Sequence, residues 1–168
     1  GALIMTHGDD SGLVLPPAVA PIQAVIIPIA SHKEGVLDKA NEVYGKIKDV
    51  CRAHLDTRDQ SPGWKFSEYE MKGVPVRIEM GPRDIENGVC VVVTRHNREK
   101  TVVPIENIET VVAQKLKEVH DGIFARALEN REKRTYACTT MDEITKALED
   151  KSGEAEEVIE TPDKPEKK

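Results

Sequence analysis

Long apolar runs are missing from this chain. None approaches the ~20 residues needed to span a bilayer. The longest, Ala24 to Ala30, has the length of a strand and contains Pro28. The opening Gly1-Ala2-Leu3-Ile4-Met5 has no basic stretch ahead of it, so no secretory leader is read there. With no Met at position 1, it predicts a piece of a longer chain. Cys51, Cys90 and Cys138 are odd in number and have no paired spacing. That pattern argues against a disulfide framework or a zinc site and predicts free thiols in a reducing compartment, the cytoplasm. The histidines show no zinc spacing either, so no metal site is expected. Phenylalanine occurs only twice, which by composition alone makes Phe66 a core residue. A basic surplus is also absent. The net charge is −6, and Glu149 to Lys168 carries eight acidic and four basic residues, leaving −2 for the rest. This is no footprint for nonspecific nucleic-acid binding, although RNA read through a few well-placed groups remains compatible with it.

Periodicity is plentiful. Residues 1–7 read as a helix end, stopped at Gly8. His7-Gly8-Asp9-Asp10 has the look of a metal or acid–base cluster but lacks further ligands, which makes it a structural turn. Leu13 to Pro21 holds three prolines in nine positions and reads as an extended connection between two bodies. Ile22 to Ala30 suits a strand buried on both faces. A helix follows, with Ser31 as cap, Glu34 completing a capping box, and an apolar face of Val36, Ala40, Val43, Ile47 and Val50. Ala53 to Thr57 is a short strand. Ser61-Pro62-Gly63 is a turn, or Pro62 opens a helix that continues from Trp64 to Lys72 and stops at Gly73.

Val74 to Met80 alternates as a strand. Gly81 to Asp84 breaks it and Glu86-Asn87-Gly88 is a turn. Val89 to Thr94 and Thr101 to Pro104 form a hairpin around a polar loop, Arg95 to Lys100. Glu106 to about Arg134 is a long helix with a stripe of Ile108, Val111, Val112, Leu116, Val119, Ile123 and Ala127. Thr139 to Leu148 is a short helix capped by Thr140 with Glu143. Beyond Ser152 the acidic tail reads as disordered. The order β-α-β-α-β-β-β-α predicts an α/β fold: a mixed five-stranded sheet with flanking helices, begun by a right-handed parallel crossover and finished by antiparallel strands.

Two blocks are specific. Gly1 to Ile29, GALIMTHGDDSGLVLPPAVAPIQAVIIPI, resembles the segment after class II motif 3 in prolyl-tRNA synthetases of the archaeal and eukaryotic type. Asp59 to Gly88, DQSPGWKFSEYEMKGVPVRIEMGPRDIENG, resembles the signature of that family's anticodon-binding domain. With Asn130-Arg131-Glu132-Lys133-Arg134, the resemblance covers roughly residues 1–148. Ala18 departs from it, where many relatives carry a basic residue, which puts a linker contact in doubt. The resemblance implies the end of a class II catalytic domain and a linker over 1–20 and a class IIa anticodon-binding domain over 21–134. It also implies the start of a truncated or divergent C-terminal domain over 135–168. Many relatives have four zinc-binding cysteines there, and none follows Cys138. The implied parent is a cytoplasmic, homodimeric ligase that uses ATP and magnesium to join proline to tRNA-Pro. Its motif 2 and motif 3 arginines and its proline pocket lie upstream, so this chain alone is expected to be catalytically inactive, with no catalytic residue of its own. A different class of reading is a stand-alone anticodon-binding module with an accessory or regulatory role.

Proline anticodons share two guanines. Guanine offers N1–H and N2–H donors that suit a carboxylate, and O6 and N7 acceptors that suit Arg or Lys. RNA readers also stack unpaired bases on flat side chains. The resemblance carries such contacts onto Phe66 for stacking, onto Glu70 and Asp84 as acceptors, and onto Arg77 and Lys100 as donors to guanine or phosphate. Arg95 or Arg98 could take the part of Lys100. Against these stand plainer readings: a surface ion pair between Glu70 and Arg77, a turn cap at Asp84, and a packing anchor at Trp64.

Overall fold

The computed structural model describes residues 1–156, with side-chain surroundings to residue 149. Residues Gly1–Glu129 form one compact unit and the chain from Asn130 onward a second. The first unit holds the sheet. Strand β1 (Ala24–Pro28) is buried throughout, as its unbroken apolar run requires. It lies between β2 (Ala53–Leu55) and β3 (Val76–Met80), parallel to both. Antiparallel strands β4 (Val89–Thr94) and β5 (Lys100–Pro104) extend the sheet to the order β2-β1-β3-β4-β5. The expected mixed five-stranded sheet is therefore present.

Helix α1 (Ala2–His7) precedes the sheet. Helix α2 (Val36–Ile47) begins later than the Ser31 box suggested. The chain leaves β1 through a left-handed Ala30 and a turn closed by Lys33 N–H on the Ala30 carbonyl. The residue before α2 is then Gly35, itself left-handed, so no side chain caps the helix. Val50 lies past its end and is exposed. Helix α3 (Pro62–Met71) starts at the proline, with the Ser61 hydroxyl accepting the Trp64 N–H at 3.4 Å. The break at 81–84 is also a helix, α4 (Pro82–Glu86). A 3₁₀ turn at Ile105–Asn107 leads into α5 (Ile108–Lys133). In the second unit α6 (Met141–Glu156) outruns the short helix read there. The tail expected to be disordered beyond Ser152 is helical to Glu156, and the rest of it lies outside the described residues.

Strand side chains alternate, so the two sheet faces differ. On one, Ile26, Ile78, Val92 and Val103 pack with Val43 and Ile47 of α2 and Val112 and Val119 of α5. On the other, Val25 and Ile27 are covered by Phe66 and Tyr69 of α3. Register places Arg77 and Glu79 on that second face beside Val25 and Ile27, followed by Val93 and Val91, then Lys100 and Val102. Val102 is 66% exposed, so this face is open towards β5. Burial requires apolar residues on the first face. The second is free to carry charge.

Candidate nucleic-acid interface

Residues four apart share a face of a helix. In α3 that rule separates Phe66 and Glu70 from Lys65 and Tyr69. Lys65 and Tyr69 are buried and fix the rotation of the helix. The Tyr69 hydroxyl donates to Asp56 Oδ2 at 3.1 Å. Lys65 Nζ donates to the Asp56 carbonyl at 3.2 Å and lies 3.5 Å from its carboxylate. Arg58 donates to the same carboxylate and to Glu68. Burial alone would push the Asp56 carboxyl up. The hydrogen bonds from Arg58 and Tyr69, with the Lys65 charge, more than reverse this and hold it well below the usual range. Burial and then the Asp56 charge push the Tyr69 hydroxyl up to about 12.

The other side of α3 meets the open sheet face. The Arg77 guanidinium sits 4.4 Å from the centre of the Phe66 ring, a cation–π stack. Its Nη2 and Nε lie 2.8 and 3.0 Å from Glu79 Oε1. Lys100 Nζ lies 3.7 Å from Glu79 Oε2. Glu70 Oε1 is paired with Arg98 Nε at 3.0 Å, and the Glu70 carbonyl accepts Arg95 Nε–H at 2.9 Å. A cleft of about 170 Å³ is lined by Glu70, Arg77, Arg95, Arg98 and Lys100. It holds a carboxylate and several cations within one small volume, and one of those cations, Arg77, is stacked on Phe66.

Phe66, Glu70, Arg77 and Lys100 are thus brought together, and Arg98 joins them. Asp84 is not. It is the third residue of α4, where Oδ2 accepts the Gly81 N–H at 3.0 Å. Its charge is felt by Cys90, which points into the core behind the opposite face. The capping reading describes its position. Glu70 and Arg77 do not pair with each other, because each has a nearer partner: Arg98 for one and Glu79 for the other. Trp64 is no packing anchor. It is 49% exposed, with the Arg58 guanidinium 5.3 Å over its ring. Glu79 escaped the sequence reading, although its spacing of two from Arg77 on a strand was the signal.

Asp9 belongs to the support of this site. Its carboxylate takes two hydrogen bonds from Arg95, at 2.6 and 2.8 Å, and the Ser11 N–H. Arg98 in turn donates to the Ser11 hydroxyl. Among the described residues no group of His, Cys, Asp and Glu could hold a metal ion. The hydrogen bonds from Arg95 hold the Asp9 carboxyl down at about 2, against 3.8 for the free group. In that interval the unfolded chain binds the proton first, so this contribution is complete above about pH 4 and lost as pH falls towards 2. Urea unfolding from pH 5 to pH 2 is expected to show a shallower acid loss in Asp9→Asn than in the parent chain. An unchanged slope would exclude the pair as a source of it.

A family model described as an anticodon binding domain matches residues 23–115. The proline–tRNA ligase of Clostridium botulinum (strain Loch Maree / Type A3) is 54% identical over 153 residues, 91% of this chain and 32% of that protein. The proline–tRNA ligase of Ruminiclostridium cellulolyticum is 53% identical, again over 91% of this chain and 32% of that protein. Prolyl-tRNA synthetase from Cryptosporidium parvum, solved with L-proline and AMP, superposes with a TM-score of 0.82. It is 39% identical over 87% of this chain and 32% of its own. The chain spans about a third of the length of the curated relatives it matches. More than half of its residues fall within the family match, on a sheet whose solved counterpart has the same fold: the chain belongs to the anticodon binding domain family.

Proposed function

We propose that this chain reads the anticodon loop of tRNA-Pro, as the recognition part of a proline–tRNA ligase. The observation that carries the proposal is the cleft in which Glu70, Arg77 and Lys100 converge beside the Phe66–Arg77 stack. An unpaired guanine fits that chemistry. Its face stacks against Phe66, its N1–H and N2–H donate to Glu70, and its O6 and N7 accept from the free edge of Arg77 or from Lys100. Arg98 pairs with Glu70 Oε1, and Oε2 is left to accept from a base. Asp84 has its Oδ1 left to accept from the second guanine, beyond the end of β3. Residues 21–134 would form the reading domain, residues 1–20 the end of a catalytic domain, and residues 135–168 the start of a further one.

In the parent enzyme ATP, magnesium and proline would engage the class II catalytic portion, and no residue of the cleft is assigned to them. Its setting would be the cytoplasm and its assembly a homodimer. Among the described residues no helix is long and apolar enough to cross a membrane.

Binding to tRNA-Pro transcripts tests the reading. Changing either shared guanine is expected to weaken binding by about 1–3 kcal/mol. Glu70→Ala should relax discrimination at one guanine. Lys117→Ala, on the exposed side of α5 and paired with Asp121, should not. Equal binding of all transcripts by the parent chain refutes specific recognition.

A further inference from the structure

We propose that Glu79 is the positioning residue that makes this surface selective for bases rather than merely attractive to phosphates. The inference rests on the anticodon-reading function proposed above. Glu79 is only 7% exposed, on β3 near the middle of the sheet. A buried carboxylate there costs stability, and an apolar residue would pack beside its neighbours Ile27 and Val91 without that cost. The ion pairs described for it are both with cations of the cleft, Arg77 and Lys100.

Two consequences follow from the geometry. Arginine carries five N–H donors in a rigid fork. The Nε and one side of Nη2 are turned onto Glu79 Oε1, at 3.0 and 2.8 Å. The remaining edge, with Nη1, is thereby aimed away from Glu79 while the plane stays stacked on Phe66. A base meets a donor edge that is already oriented, and less rotamer entropy is lost on binding. The second consequence is electrostatic. Arg77 and Lys100 together carry two positive charges, and Glu79 cancels one. Each unopposed cation is free to neutralise a phosphate of any sequence, which raises affinity without discrimination.

Transcript binding across a range of salt concentrations, with tRNA-Pro and a version lacking one shared guanine, tests this. Lack of discrimination by the parent chain would indict the anticodon-reading proposal and not Glu79. Given discrimination, Glu79→Gln is expected to reduce it about tenfold. The same variant should bind the guanine-deficient transcript more tightly, with a log–log salt slope steeper by about 0.7. Glu79→Asp keeps the charge but falls short of Arg77. It should lose discrimination without gaining affinity for the deficient transcript. Both variants are first checked for an unchanged circular dichroism spectrum, and if Glu79→Gln does not fold, Glu79→Asp decides. Discrimination retained in a folded variant, or a parallel loss of both transcripts, overturns the proposal.

Discussion

Asp56→Ala is expected to destabilise the first unit by about 3–5 kcal/mol, because it strands a buried charge. Asp56 is 1% exposed and Lys65 2% exposed, so neither is rescued by water. Without the carboxylate, Lys65 keeps only the backbone carbonyl at position 56, and the Tyr69 hydroxyl and Arg58 lose an acceptor. Lys65→Met should cost clearly less, since Asp56 retains its hydrogen bonds from Arg58 and Tyr69. Urea unfolding of the two variants at pH 7 gives the comparison, and losses of equal size would mean that the Asp56 carboxylate is not the hub. The acid limb supplies a second signature. The folded-state pKa of Asp56 is lowered, so its contribution is present above about pH 3.8 and declines as pH falls below it. Asp56→Ala should flatten that decline. Because Lys65 and Tyr69 set the rotation of α3, the same variant should also blur guanine discrimination through Phe66 and Glu70.

How far such features could be read from the sequence depended on their range. The run Ala24 to Ala30 and the alternation Val74 to Met80 announce strands, because burial on two faces or on one imposes those patterns locally. The stripe from Val36 to Ile47 announces α2 for the same reason. Helix starts were less legible. Ser31 and Glu34 have the spacing of a capping box, but the left-handed turn out of β1 removes Ser31 from the helix end. Gly81-Pro82-Arg83-Asp84 contains a proline at the first helical position and an acidic residue at the third, the marks of the short helix it makes. The site divided along the same line. Phe66, Glu70, Arg77 and Lys100 lie in or beside one motif and converge. Their partners do not share that proximity: Asp9 and Arg95 are 86 residues apart in sequence, and no periodicity links them. Asp56 and Lys65 read as parts of a strand and a helix on either side of a turn, and no periodicity pairs them. A buried ion pair is a tertiary fact, and only the fold brings its halves together.

Gly73→Ala is expected to cost about 3 kcal/mol or more, and its effect should reach the RNA. Gly73 has φ of +71°, a left-handed conformation that favours glycine. A Cβ there would lie 2.7 Å from the backbone carbonyl carbon and oxygen of Leu13. Backbone cannot rotate out of the way as a side chain can. The segment is further held by the Leu13 N–H on the Met71 carbonyl at 2.9 Å and the Leu15 N–H on the Gly73 carbonyl at 3.3 Å. Relief therefore requires residues 13–15 to lift off, or the end of α3 to move. Gly12→Ala meets the same obstacle from the other side, with Met71 Cα and carbonyl oxygen 2.6 Å from the new methyl. Gly63→Ala is the control, because its Cβ meets nothing within 4 Å and alanine is a better helix former. Either movement disturbs the cleft. Residues 9 and 11, just ahead of the lifted segment, hold Arg95 and Arg98, and these hold Glu70. Gly73→Ala should thus melt well below Gly63→Ala and lose discrimination at the guanine read by Glu70. A chain that melts and discriminates like the control would show that residues 13–15 do not lie against the end of α3.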